Sequence, residues 1–234
     1  MSGTKTVGVI GGLGPMATLD FFERILKRTK ALREQDHLRL IIDNNPHFPD
    51  RNAYKRGEGP SPGPTLAECA RGLQAAGAEL IVMACNTTHA WEAEIRAAIS
   101  VPFISIIEET SDVVAELKPE RAGVLAVDAC LSSNLYQDAL TKRGVTPVLL
   151  SVDSQRSFME LIYRIKNGDA GETVKRSMTT LARKLEAQGA EVIIAGCTEI
   201  PLVLTADDID GELVSSTDVL VERTIVAAGG ELKS

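Results

Sequence analysis

Metal-binding and redox residues are scarce in this chain, which has four cysteines and three histidines in 234 residues. No two cysteines form a Cys-x-x-Cys pair, so neither a ribbon-type zinc site nor a thioredoxin-like redox motif has support. Positive charge is also in deficit, with 25 Lys and Arg against 32 Asp and Glu and a net charge of -7. That balance argues against a nucleic-acid or anionic-membrane partner. No apolar run approaches the ~18 residues of a membrane span. Met1 to Thr6 lead straight into Val7-Gly-Val-Ile-Gly-Gly12, too short and too glycine-rich for a signal-peptide core and without a charged segment before it. A soluble cytoplasmic protein with reduced thiols is expected. Cofactor signals are missing too. Gly11-Gly-Leu-Gly14 lacks the GxGxxG spacing of a dinucleotide site, no pyridoxal lysine motif is evident, and no cofactor is expected.

What is present is an aliphatic, layered pattern. Hydrophobic residues make up 44% of the chain and aromatics only 4%, the balance of a layered α/β protein. Thr6–Ile10, Leu38–Asp43, Glu79–Ala84, Phe103–Ile106, Ala122–Val127, Thr146–Leu150 and Glu191–Ala195 read as strands. Their continuous, β-branched character suits strands buried on both faces of a parallel sheet. Helical spacing is predicted over Met16–Lys30, Pro64–Ala76, Trp91–Ala98, Ile107–Leu117, Ser132–Arg143, Ser157–Asn167, Gly171–Gln188 and Ser216–Ala228. The alternation implies right-handed βαβ units and a doubly wound fold. The segment Phe48–Pro64 breaks this rhythm with four prolines and three glycines, and Arg51, Lys55 and Arg56 lie among them. It reads equally as a lid or binding loop and as a solvated connector.

An internal repeat organises the chain. Leu73-Gln-Ala-Ala-Gly-Ala-Glu-Leu-Ile-Val-Met-Ala-Cys85 aligns without gaps to Leu185-Glu-Ala-Gln-Gly-Ala-Glu-Val-Ile-Ile-Ala-Gly-Cys197, with seven of thirteen positions identical. Val7-Gly-Val-Ile10 matches Ala122-Gly-Val-Leu125 in the same way. The expected architecture is two similar doubly wound lobes with parallel sheets, related by a pseudo-twofold. A cysteine at the same place in each lobe would then face its counterpart across a cleft.

Each repeat cysteine ends a strand, which is where open α/β sheets bind ligands. Cys85 begins Cys85-Asn-Thr-Thr-His89, and Cys197 begins Cys197-Thr-Glu-Ile-Pro201. Helix N-termini and free N–H groups at such turns favour anions and are expected to lower a thiol pKa from its free value of about 8.5. Asn86, Thr87 and Thr198 would add short donors beside the sulfurs. A thiolate on one face of an acidic carbon and a thiol on the other can invert it, and they exchange roles for the opposite hand. Amide donors around the substrate carboxylate would stabilise the carbanion. Gly12 is expected to bring backbone close to the substrate.

Val7-Gly-Val-Ile-Gly-Gly-Leu-Gly-Pro15, Asn44-Asn-Pro-His-Phe-Pro-Asp-Arg51, Cys85-Asn-Thr-Thr-His89 and Gly196-Cys-Thr-Glu-Ile-Pro201 together resemble the aspartate racemases of the aspartate/glutamate/hydantoin racemase superfamily, over nearly the whole chain. The resemblance implies a pyridoxal-independent, two-base mechanism with Cys85 and Cys197 as acid and base. Substrate contacts are expected from Gly12, Asn86, Thr87, Thr198 and Glu199. The resemblance also implies that Arg51 and Lys166 serve the substrate's side-chain carboxylate or tune the thiols. Further implications are a homodimer and a final helix returning to the first lobe, giving lobes of 1–102 with 211–234 and of 103–210. One departure stands out. Where the family has a Thr-rich turn with glycine, this chain reads Val127-Asp-Ala-Cys-Leu-Ser-Ser133, so Cys130 would replace a threonine hydroxyl near the substrate and Asp128 would add negative charge.

Plainer readings stand beside these. Cys69 lies on a helical apolar stripe with Leu66 and Leu73 and is expected in the core. His89 is expected to be structural or orienting, because a metal site needs three or four ligands. By spacing alone Lys166 is a solvated helix-end lysine. Alternatives to an acidic amino-acid racemase are a related hydantoin racemase, decarboxylase or maleate isomerase, and a dicarboxylate-binding protein without turnover.

Overall fold

Continuous aliphatic strands and amphipathic helices alternate in the computed structural model, which describes residues 3–233. The chain divides into two compact units, Met1–Glu109 with Thr217–Ser234, and Thr110–Ser216. In the first, the elements run β1 (Val7–Gly11), α1 (Pro15–Arg28), β2 (Leu40–Asn44), α2 (Arg51–Lys55), α3 (Gly63–Ala75), β3 (Leu80–Met83), α4 (Glu92–Ala98) and β4 (Phe103–Ile104), and α5 (Ile106–Glu116) carries the chain from the first unit into the second. The second contains β5 (Arg121–Leu125), α6 (Asp128–Leu131), α7 (Leu135–Lys142), β6 (Thr146–Val148), α8 (Val152–Lys166), α9 (Glu172–Glu186), β7 (Val192–Ala195) and β8 (Glu212–Ser215), after which α10 runs from Ser216 to Ala227. The protein is α/β with two four-stranded sheets, ordered β2-β1-β3-β4 and β6-β5-β7-β8, and every strand pairing is parallel.

The repeat extends to register. Gly8 pairs with Ile81 in one sheet, and Gly123 pairs with Ile193 in the other. A β-carbon on Gly8 would lie 3.2 Å from Leu73 Cβ and 3.3 Å from Ile81 Cγ1, and one on Gly123 would lie 2.9 Å from Leu185 Cβ and 2.7 Å from Ile193 Cδ1. The same glycine therefore admits the same helix in both units. Central strands β1, β3 and β7 are buried along their whole length, which is why they read as unbroken apolar runs. No helix among the described residues is long and apolar enough to cross a membrane.

Four elements differ from the sequence expectations. β8 was not anticipated: its four residues lie at a sheet edge and follow the acidic stretch Asp207–Asp210. α8 starts at Val152, five residues ahead of Ser157, because the Ser151 side chain accepts the Ser154 N–H and caps it. The helix expected over Ser132–Arg143 is instead split, since Asn134 takes φ 53° between α6 and α7. Finally, α2 forms inside the Pro/Gly stretch.

Candidate active site

In the first unit the chain leaves β3 and turns at Cys85, which is 7% exposed. A 3-10 turn, Thr87–Trp91, follows. The Cys85 carbonyl accepts from Thr88 Oγ1 at 3.2 Å and from His89 Nδ1 at 2.8 Å. His89 Nε2 in turn accepts the Ile106 N–H at 3.1 Å. A carbonyl can only accept and an amide N–H can only donate, so His89 carries its single proton on Nδ1 and is neutral. Burial holds its pKa down at about 4. His89 is thus an orienting residue that ties the cysteine's backbone to the start of α5. No cluster of metal-ligating side chains occurs among the described residues. Asn86 and Thr87 are buried in the same turn.

The Pro/Gly stretch is fastened to this turn. Phe48 is buried in the core cluster that also holds Leu13, Cys85 and Trp91. Asp50 Oδ1 accepts the Ala53 N–H at 2.6 Å and starts α2. Tyr54 then meets Trp91 edge to face, with ring centroids 5.5 Å apart. Arg51, the first residue of α2, is therefore held on an element packed against the Cys85 turn. It is half-buried and has no ion pair among the described residues. Gly12 has an internal reason to be glycine. Its φ is +83°, and a β-carbon would lie 2.2 Å from the Asn45 carbonyl oxygen. Its N–H is engaged by Thr18 Oγ1 at 2.9 Å.

In the second unit Cys197 follows β7 and is 8% exposed. Its Sγ donates to Glu199 Oε2 at 2.9 Å, and Thr198 Oγ1 donates to the same oxygen at 3.3 Å. The other carboxylate oxygen lies 3.8 Å from Lys166 Nζ. Lys166, at the end of α8, thus reaches the Cys197 turn through Glu199. The electrostatics correct one expectation. Burial and the Glu199 charge push the Cys197 thiol well above its ordinary pKa, and Lys166 only partly offsets them. A strand-end field does not win against desolvation beside a carboxylate. A second correction concerns the donor role expected of Thr198, whose hydroxyl serves Glu199.

The remaining thiols are interior. Cys69 lies in the core cluster and donates to Asp43 Oδ2 at 3.2 Å. Its pKa is raised chiefly by burial. Cys130 is completely buried. Asp128 is exposed and accepts from Gln155 Nε2 at 2.8 Å. Sequence reading missed Tyr136, whose buried ring lies against the Gly196–Cys197 strand end.

Residues 10–224 match the family described as Asp/Glu/Hydantoin racemase, and the chain belongs to that family, as an enzyme of the amino-acid racemase class. Along 94% of its length it is 25% identical to the broad specificity amino-acid racemase RacX of Bacillus subtilis (strain 168), covering 96% of that protein. Its fold superposes on the Picrophilus torridus aspartate racemase with a TM-score of 0.87 and 28% identity, over 98% of this chain and 96% of that one. A putative Asp/Glu racemase from Yersinia pestis gives a TM-score of 0.84 at 26% identity, over 96% and 99% of the two chains.

Proposed function

We propose that this enzyme racemises an acidic amino acid, aspartate or glutamate, without a cofactor, using Cys85 and Cys197 as the acid/base pair. The observation that carries the reading is the equivalence of the two cysteines. Each leaves the third strand in sequence of a sheet ordered the same way, in the same register, and each is followed by a polar turn. The reading requires both sulfurs to reach one substrate carbon from opposite faces. One cysteine, as thiolate, takes the α-hydrogen as a proton. The other, as thiol, delivers its proton to the opposite face, so the C–H broken is replaced by a C–H formed and the pair ends with its protonation reversed.

Cys197 enters this cycle as the thiol, with its hydrogen directed at Glu199. Glu199 is the group positioned to receive that proton when Cys197 acts as base, and Lys166 balances the charge it carries. On this reading Glu199 acts on the thiol more than on the substrate. Arg51, with no ion pair among the described residues, is suited to a substrate carboxylate. Turn N–H groups with Asn86 and Thr87 would hold the α-carboxylate and stabilise the carbanion.

The test is α-hydrogen exchange in heavy water, followed by proton NMR, with purified enzyme and no added cofactor. L-aspartate and D-aspartate, then both glutamates, should lose the α-proton signal while the opposite enantiomer accumulates. A panel including neutral amino acids and a hydantoin decides between the acidic reading and its alternatives, a useful check given that one relative is described as broad in specificity. Exchange confined to neutral substrates or hydantoins would overturn the acidic assignment.

A further inference from the structure

The alignment that pairs Gly8 with Gly123 also pairs Gly14 with Ala129, Thr18 with Ser133 and Phe21 with Tyr136. Hydrogen bonding follows it: Thr18 Oγ1 donates to the Gly14 carbonyl at 3.2 Å, and Ser133 Oγ donates to the Ala129 carbonyl at 2.8 Å. Phe21 and Tyr136 are both fully buried. The alignment thus pairs two buried six-membered rings, and the second carries a hydroxyl.

That hydroxyl lies within hydrogen-bonding reach of Thr110 and Ser216. Ser216 Oγ donates its single proton to the Ala195 carbonyl at 2.8 Å, so the bond from Tyr136 must be donated by the phenol. Burial, with the Cys130 and Cys197 thiols nearby, raises the tyrosine's pKa, so it stays a donor. The result is a relay of fixed direction, from Tyr136 to Ser216 to the last carbonyl of β7, two residues before Cys197. The ring adds a second contact. A β-carbon on Gly196 would lie 2.9 Å from Tyr136 Cε2, so the strand end passes directly over the ring. The first unit lacks the relay. Leu213 sits beside Ile193 as Phe103 sits beside Ile81, which puts Ile106 at the place of Ser216 and Phe21 at that of Tyr136.

We infer that Tyr136 is a positioning residue for Cys197, acting through Ser216 and the Ala195 carbonyl, with no counterpart at Cys85. It touches neither substrate nor the transferred proton. It sets where the sulfur stands at the end of β7. The inference rests on the racemase reading above and concerns one of its two bases only.

Tyr136→Phe is the direct test, because it installs the residue that already fills the equivalent place in the first unit. Ser216→Ala breaks the same relay at its second link and carries the test if the first variant folds poorly. For each, kcat and KM are measured in both directions, together with the isotope effect on removing α-deuterium from the L and from the D substrate. The expected result is a kcat lower by about tenfold, the scale of one lost hydrogen bond, with KM within about twofold. The isotope effect should rise for one enantiomer only, the one whose hydrogen Cys197 removes. A merely structural loss would lower kcat with no change in the isotope effect that is confined to one enantiomer. Unchanged rates in both variants, or isotope effects that move equally for the two enantiomers, would overturn the inference and leave the racemase reading standing. A wild-type enzyme that exchanges no α-hydrogen would instead remove the reading itself.

Discussion

Two turns built on one plan hold their cysteines in different chemical company. At Cys85 the groups bonded to the turn are Thr88 and a neutral His89, and neither carries charge. At Cys197 the sulfur donates to a carboxylate that also faces a lysine. In the aligned repeat Thr87 stands where the second unit has Glu199, and His89 stands where it has Pro201. The strand and its register set where each thiol stands. The next few residues set which groups it can exchange a proton with, and the proposed acid/base pairing draws on that difference.

Glu199→Gln should break the comparison most strongly. Removing the negative charge lets the Cys197 thiol titrate lower, which ultraviolet thiolate absorbance would follow, while loss of the proton acceptor slows racemisation by about 10²-fold. Unaltered kinetics would mean that Glu199 is a bystander. His89 gives a test on the other side. It is held neutral in the fold at a pKa of about 4 and titrates near 6.5 once unfolded, so the unfolded chain binds the extra proton as pH falls. Stability is therefore lost as pH drops from about 6.5 to about 4, by up to about 3 kcal/mol. Denaturant melts of wild type and His89→Asn across that range should show a flatter dependence in the variant.

Smaller effects sharpen the contrast. Gly196→Ala drives a β-carbon into the Tyr136 ring and toward the Leu125 carbonyl, and should cost about 1–3 kcal/mol. Ala84→Gly, the reverse change at the equivalent place, should cost about 1 kcal/mol or less. Gly8→Ala and Gly123→Ala serve as the control, since both press on equivalent leucine and isoleucine side chains, with Ala78 an added contact at Gly8. Their losses in thermal melts should agree within about 1 kcal/mol, and a large disparity would show that the two sheets tolerate strain differently.

The parallel strands and the repeated cysteines were legible because both have local signatures. Strands buried on two faces are unbroken aliphatic runs, and Gly-Ala-Glu before a strand that ends in cysteine occurs twice. β8 was not legible, since four residues at a sheet edge carry too little periodicity. α2 was hidden inside prolines and glycines, although Asp50 followed by Arg51 is a capping signal in hindsight. The direction of the Cys197 pKa was misread for a physical reason: the turn's favourable field is visible in sequence, whereas the thiol's burial and the carboxylate folding back onto it depend on packing. Tyr136 was within reach. Extending the repeat past Gly123 pairs it with Phe21 and exposes the extra hydroxyl.

The two-cysteine claim is tested most directly by Cys85→Ser and Cys197→Ser, each assayed with pure L and pure D substrate in heavy water. Each variant should lose inversion in both directions by about 10²–10⁴-fold while its circular dichroism stays native. If either serine variant interconverts the enantiomers at close to the native rate, the paired-base account is wrong.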